Sequence, residues 1–335
     1  MVQLVRGSKT ILVAGVALFM LLMISACGNA GKENMSNHAA PDTPQQTGSV
    51  ATKVVTDDLG REVEIPVAPQ RIIAGEFASE LLELGVIPVG AGDNSYKIVY
   101  TLDQMKGVER IGDPPNVEKI LELEPDLILA PTVFNEIYKE QMEQISKIAP
   151  VYYLSFDQDP IYDIFTKIAS LVNKEPEADA WIKGYEEEAD AARTQLKQSL
   201  GKETVSIVRV EKGRLRIYLN RNFGGYMLHS GLQANAPEAV TAEIAKNPFS
   251  SAIEISLEQL HEYAADHMLL IVRNEEDDKQ AMEEIEKLGL WKGLPAVKHG
   301  RVHKLETEKY YGSDIVTIRE TMKEAVTMLV SGNAK

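Results

Sequence analysis

The chain has 335 residues, 44% of them hydrophobic and 25% charged, which is enough apolar material for two packed domains and too much for a disordered or fibrous chain. Its formal charge of -15 at pH 7 excludes a nucleic-acid partner, which would need clustered Lys and Arg. With one cysteine, Cys27, an internal disulfide is impossible.

Residues 1–26 read as an export signal: Arg6 and Lys9 precede an apolar run over 11–24 that ends in the small residues Ser25 and Ala26. The run is short for a membrane-spanning helix. The stretch 21–27 resembles the lipobox of bacterial lipoproteins, in which the cysteine, here Cys27, carries the lipid and becomes the new N-terminus. Loss of the leader, with two bases and no acids, takes the formal charge from -15 to -17. Beyond it, 27–50 lacks any apolar period and reads as a flexible tether containing a solvated His38, with a root-mean-square span of roughly 25 Å.

The first lobe is expected over 51–175. Strands over 53–56 and 61–65 flank the Asp58-Leu59-Gly60 turn. A strand over 71–74, a helix over 78–84 stopped by Gly85, and a strand over 86–90 follow. Asn116 then caps a helix to 123, and a strand over 126–130, a helix over 135–148 and a strand over 151–154 come next. A last helix after Asp159-Pro160 puts Ile161, Ile164, Phe165, Ile168 and Val172 on one face. Strands alternating with helices imply parallel βα units with helices on both faces of a sheet.

A single long helix is expected over 176–200. Ala178, Trp181, Ile182, Tyr185, Ala189, Ala192, Leu196 and Leu200 recur at steps of three and four, Pro176 suits the first turn, and Gly201 suits the cap. Beyond it, over 201–335, the alternation resumes. Strands are expected over 204–210 and 215–219 around Gly213, and over 267–272 and 302–305; helices are expected over 224–231, 256–263, 279–288 and 314–330. The fold class is thus α/β: two Rossmann-like lobes with central parallel sheets, joined by one interdomain helix, with a cleft where strand ends face each other.

The two halves echo each other. Asn116-Val117-Glu118-Lys119-Ile120-Leu121-Glu122, running on to Asp126-Leu127-Ile128-Leu129, matches Ser256-Leu257-Glu258-Gln259-Leu260-His261-Glu262, running on to Asp266-His267-Met268-Leu269. Glu118 and Glu258 hold equivalent places, each a carboxylate in a first helical turn where the dipole favours it. Two similar acidic tips suit a partner with two similar basic sockets.

These strings, together with Arg71-Ile72-Ile73, Leu84-Gly85-Val86-Ile87-Pro88-Val89-Gly90 and Gly225-Tyr226-Met227-Leu228, resemble the substrate-binding proteins of bacterial iron-siderophore and cobalamin ABC importers. The run from Met105-Lys106-Gly107 to Pro115-Asn116 looks most like the ferric hydroxamate and ferric citrate branch. The resemblance implies a monomeric lipoprotein on the extracytoplasmic face of the cell membrane, with little hinge motion and no cofactor. It also implies an Fe(III)-siderophore held between the lobes, and delivery to an ABC permease dimer with its cytoplasmic ATPase. The family's docking glutamates fall on Glu118 and Glu258. Haem, cobalamin or a sensor role without transport are the alternatives.

Arg and Tyr are the side chains expected around an oxygen-rich chelate. Arg209, Arg216, Tyr218, Arg221 and Phe223 lie on or after strands of the second lobe; Tyr96, Thr132 and Phe134 follow strands of the first; Tyr310 and Tyr311 follow the last strand. Direct capture of free metal would need imidazoles from both lobes, and no His lies between His38 and His229. No Gly-x-Ser-x-Gly, phosphate loop or His-Glu-x-x-His marks an enzyme.

Overall fold

Asp57 closes a hairpin at the start of the folded chain: its carboxylate accepts from the backbone of Leu59 at 3.0 Å and Arg61 at 2.9 Å, and from the Arg61 guanidinium. The hairpin pairs β1 (Thr52–Thr56) with β2 (Glu62–Pro66) as an antiparallel sheet of its own. Tyr152 Oη donates to the Thr56 carbonyl at 2.9 Å and Lys53 Nζ to the Ser170 carbonyl at 2.8 Å, strapping it to the first lobe. The computed structural model describes residues 51–158 and 160–332; the expected leader, the lipidation site Cys27 and the tether lie outside the described residues. Among the described residues no helix is long and apolar enough to cross a membrane.

The first lobe comprises β3 (Ile72–Ile73), α1 (Ala78–Glu83), β4 (Gly90–Ala91), β5 (Glu109–Arg110), α2 (Val117–Glu122), β6 (Leu127–Pro131), α3 (Phe134–Ile137), α4 (Lys139–Ile145), β7 (Val151–Leu154) and α5 (Asp163–Val172). Its sheet, ordered β5-β4-β3-β6-β7, is parallel throughout, and every residue of β6 and β7 is buried, as continuous apolar runs require. The strand expected over 86–90 shrinks to Gly90–Ala91 because the Val86 N–H caps α1 through the Leu81 carbonyl at 2.9 Å and Pro88 has no N–H to give. The helix expected over 135–148 breaks at Tyr138 (φ -124°, ψ 36°) into α3 and α4.

The connecting helix α6 (Glu175–Leu200) buries Ala178, Tyr185, Ala189, Leu196 and Leu200, and at 1.5 Å per residue is about 39 Å long. Gly201 caps it with φ 60°. Gly184 is costly in a helix, and nothing around it requires glycine: the Arg319 guanidinium, which donates Nε to Glu188 at 2.8 Å, passes 3.9 Å from where its Cβ would be, an ordinary contact distance.

The second lobe runs β8 (Val205–Glu211), β9 (Arg214–Tyr218), α7 (Glu238–Lys246), β10 (Ala252–Ile255), α8 (Leu260–Tyr263), β11 (His267–Val272), α9 (Glu276–Lys287), α10 (Gly289–Lys292), α11 (Pro295–Lys298), β12 (Val302–Leu305) and α12 (Ile315–Gly332). Its sheet order is β10-β9-β8-β11-β12. Here β8, β11 and the edge strand β12 are parallel, while β9 runs antiparallel to both neighbours. The turn dictates this: Lys212 (φ 52°) and Gly213 (φ 69°) form a two-residue link with both φ positive, which joins adjacent antiparallel strands. The segment expected as a helix over 224–231 closes as a wide π turn over Met227–Gly231. α7 and β10 have no counterpart among the elements expected from sequence.

One apolar core crosses both lobes, from Ile72, Leu129 and Leu154 through Phe165 and Tyr185 to Ile207, Tyr218 and Leu269, with Met322 and Leu329 of α12 against α6. Each lobe adds an outer core of its own. The lobes therefore share buried surface along α6 and α12 in addition to the covalent link.

Candidate functional site

The carboxyl ends of β3, β4, β6 and β7 open onto a cavity of about 630 Å³, and loops of the second lobe form its opposite wall. Parallel sheets present ligand-binding loops in this way. From the first lobe come Glu76 after β3, Glu80 on α1, Asn94 and Ser95 after β4, Val133 and Phe134 after β6, and Phe156 after β7. Arg221, Asn222 and Phe223 after β9, Phe249 and Ser251 before β10, and the stretch from Tyr311 to Asp314 after β12 face them.

Glycine makes the first wall possible. Gly75 has φ 53°, and a Cβ there would strike the Leu129 carbonyl of β6, so only glycine lets the chain turn Glu76 across the strand ends. On the other side Asn222 (φ 35°) and Phe223 (φ 44°) are left-handed ahead of Gly224 (φ 81°), and the Asn222 N–H donates to Ser313 Oγ at 3.0 Å.

The ten sequence-selected ligand residues divide by place. Phe134, Arg221, Phe223 and Tyr311 line the cleft. Arg209 and Tyr218 stand behind Phe223: Arg209 is 5% exposed, donates Nη1 to Tyr218 Oη at 2.8 Å, and sits 3.9 Å from the Phe223 ring centre. Arg216, opposite Arg209 in the β8–β9 ladder, pairs with Glu211 at 3.2 Å, and Arg209 reaches the same carboxylate at 3.3 Å. Tyr310 is buried, its phenol pushed up by burial, and packs against Gly224. Tyr96 lies outside the cleft lining; it donates to the Val108 carbonyl at 2.8 Å beneath the Arg110 guanidinium. Thr132 lines a smaller hollow of about 300 Å³ beside Asp58 and Ser155.

Sequence reasoning missed the cleft's carboxylates and two aromatics. Glu76 is half-buried, and burial together with Asp113 pushes its carboxyl up to about 7. Glu80 is 4% exposed; burial and Asp314 push it up to about 8, and burial raises Asp314 as well. Asp314 accepts from Thr317 N at 3.0 Å and Thr317 Oγ1 at 2.7 Å at the start of α12. Phe156 meets Phe77 in a tilted ring pair at 5.2 Å, and the Phe249 ring centre lies 4.8 Å from the Arg221 guanidinium. The available signal was position: Glu76 and Phe156 follow strand ends and Phe249 precedes a strand.

The echoed helices have matching supports. Asp126 accepts from the backbone of Gln70 at 2.7 Å and Arg71 at 2.9 Å, just ahead of β3; Asp266 accepts from Thr204 N at 2.8 Å, just ahead of β8. Asn116 Oδ1 caps Lys119 N at 3.0 Å, and Gln259 Oε1 accepts from Ser256 N at 3.0 Å. Glu118 and Glu258 are both exposed, Glu258 in the turn preceding α8. Its carboxyl is lowered by its own backbone N–H and by Ser256.

Among the described residues no group of three His, Cys, Asp or Glu is arranged to hold a metal ion. His267 is fully buried between His303 (3.4 Å) and Glu203 (3.1 Å), away from the cleft lining.

Known proteins share this architecture. The chain is 28% identical over 327 residues to the iron(3+)-hydroxamate-binding protein YxeB of Bacillus subtilis, covering 96% of this chain and 97% of that protein. It is 30% identical over 305 residues to the probable siderophore-binding lipoprotein YfiY of the same organism, covering 87% and 89%. Among solved structures, a FhuD-fold periplasmic binding protein component of a Fep/Fec-like ferrichrome ABC transporter from Bacillus subtilis superposes with a TM-score of 0.71 at 26% identity, over 82% of this chain and 99% of that one. Staphylococcus aureus SirA, solved with staphyloferrin B, gives 0.70 at 25% identity, over 84% and 98%. The periplasmic binding protein family matches residues 81–308, and the chain belongs to that family.

Proposed function

We propose that this protein is an extracytoplasmic lipoprotein, anchored through Cys27, that captures a ferric hydroxamate between its lobes and delivers it to an ABC-importer permease. The observation that carries the reading is the cavity of about 630 Å³ between two lobes with a shared core, walled by Phe134, Phe223, Phe249 and Tyr311. Aromatic walls with a few polar groups suit a bulky chelate whose exterior is methylene and amide. Phe134, Arg221, Phe223 and Tyr311 contact the chelate, with Arg209 and Tyr218 holding Phe223 from behind. The name of YxeB supports hydroxamate as the chelating group.

Glu118 and Glu258 dock the two lobes on the two permease subunits. Their matched supports, in which Asp126 and Asp266 pin the residues just ahead of β3 and β8, the strands paired with β6 and β11, favour this role. Siderophore-dependent iron uptake in cells tests it. Glu118→Ala and Glu258→Ala each lower uptake, the double variant more so, and Lys at either place is worse than Ala, while ligand affinity in vitro stays the same. Normal uptake by the double variant at normal expression would remove the docking role and leave a sensor.

A further inference from the structure

The loop after β7, residues 155–158, is a partition. On one side Phe156 and Asp157 line the cleft; on the other Ser155 lines the smaller hollow of about 300 Å³, together with Asp58, Thr132 and Val133. The Phe156 ring meets Phe77 across 5.2 Å, yet the residue is still 39% exposed, so packing covers only part of it. A thin wall with open space on both sides needs ties to keep its place.

The loop's own bonds are short-range: the Gln158 N–H donates to the Phe156 carbonyl at 2.9 Å and the Asp157 N–H to Ser155 Oγ at 3.1 Å. Such bonds shape the turn and leave its position open. Position comes from Asp58, in the hairpin turn between β1 and β2. Its Oδ2 accepts from the Ser155 N–H at 2.8 Å and from Gln158 Nε2 at 3.3 Å, at the two ends of the loop, while Oδ1 accepts from Lys167 Nζ of α5 at 2.6 Å. The hairpin turn is itself seated, since the Asp58 N–H donates to the Tyr153 carbonyl of β7 at 3.0 Å and Asp57 closes the turn from within. With a side chain 14% exposed, the Asp58 carboxylate makes these charge-assisted bonds largely out of water. From the second lobe Arg221 Nη2 donates to the Gln158 carbonyl at 2.6 Å.

We infer that Asp58 is a positioning residue of the cleft: its carboxylate holds both ends of the 155–158 loop and so sets Phe156 in place for the ligand. Asp58 itself lies outside the cleft lining. The inference rests on the reading that the cleft holds the ligand, whichever chelate enters it. In sequence Asp58 is a hairpin-turn acid; the fold gives that turn a second task, as a support for the binding wall. Without the carboxylate the loop keeps its internal bonds but is ordered afresh by each ligand, an entropic cost that appears as lost affinity.

The test is a fluorescence titration of the full chain with a linear ferric trihydroxamate at neutral pH, with thermal melts to check folding. Asp58→Ala binds roughly tenfold more weakly, the cost of ordering a loop and its aromatic side chain on binding. Asp58→Asn, which keeps an oxygen for the Ser155 N–H, restores most of the affinity. Lys167→Met removes the ion pair and spares the loop ties, so it lowers the melting temperature with affinity unchanged. In a Phe156→Ala background Asp58→Ala costs no further affinity, since the side chain it places is gone. Should Asp58→Ala not fold, Asp58→Leu, which fills the space without an acceptor, carries the same expectations. Unaltered affinity in the folded Asp58 variant, a loss in Lys167→Met as large as in that variant, no recovery in Asp58→Asn, or additive losses with Phe156→Ala overturns the assignment and leaves the cleft as the binding site. An unmutated chain that binds no ferric chelate removes both.

Discussion

Tyr311 Oη donates to Asn94 Oδ1 across 3.0 Å, joining the loop after β12 to the turn after β4 and bridging the two walls of the cleft. The same asparagine side chain hydrogen-bonds Glu76, and the Tyr311 ring meets Phe223 edge-on at 5.5 Å. One tyrosine thus connects the aromatic wall to Glu76. Tyr311→Phe deletes the bridge and the contact of its hydroxyl with Lys97 Nζ at 3.4 Å, and lowers stability of the unliganded protein by about 1 kcal/mol. Tyr311→Ala deletes the wall as well and weakens ferric-chelate binding by roughly tenfold or more. Unchanged affinity in Tyr311→Ala, measured by titration, would place the ligand elsewhere.

The arginines separate by the same logic. Arg221 is 4% exposed and donates to two backbone carbonyls, one of them Gln158 of the other wall at 2.6 Å. Arg221→Ala leaves those carbonyls unpaired and costs about 2 to 4 kcal/mol of stability, read in a urea melt, besides any loss of binding. Arg216 has a side chain 30% exposed and paired with Glu211. Arg216→Ala costs at most about 1 kcal/mol. Equal loss in the two variants would contradict this division.

Acid should stabilise the empty protein. Folding raises the carboxyls of Glu76 and Glu80 from 4.5 to about 7 and about 8, so the folded chain holds protons that the unfolded chain has released. Their contribution is fullest below about pH 4.5 and is lost as pH climbs through 7 and 8. Over that window, in a chain where Asp93, Lys97, Asp113, Glu83 and Asp314 bear on the two groups, the loss is on the order of a few kcal/mol. Melting temperatures of the unliganded protein therefore fall from pH 5 to pH 8, and Glu80→Gln flattens the decline. A melting temperature of the unmutated chain that holds or rises over this range, or a Glu80→Gln profile that falls as steeply as the unmutated one, would contradict this assignment.

Cys27→Ala should abolish lipidation. Membrane fractionation and mass spectrometry check this: the variant is soluble or retains its leader. A variant that stays membrane-bound and correctly trimmed would refute the anchor.

Much of the scaffold was legible because its signals are local. α6 carries its apolar face, Pro176 and Gly201 in sequence; the runs Val151–Leu154 and His267–Val272 are continuous buried strands with the bounds expected, and the partly exposed edge strand Val302–Leu305 keeps its expected bounds too. The short edge strand β10 and the helix α7, with a single fully buried residue in Val240, lack such contrast. The cleft acids were hidden for a different reason. Glu76, Glu80 and Asp314 read locally as ordinary loop and helix-start acids; the approach of α12 to α1 brings Glu80 and Asp314 together, and Glu76 lies against Gly92 after β4. Likewise Arg209 and Arg216 look alike in sequence, and it is the β8–β9 register that sets both on Glu211.

The account stands most directly on a binding titration of the purified protein, followed by fluorescence of Trp181 and Trp291, against ferric hydroxamates, ferric citrate, a ferric catecholate, haem and cobalamin. The predicted result is saturable one-to-one binding of a ferric hydroxamate, at least tenfold tighter than any other member of the panel and weakened by Tyr311→Ala. Saturable binding of haem or cobalamin, with no response to any ferric hydroxamate, would contradict it.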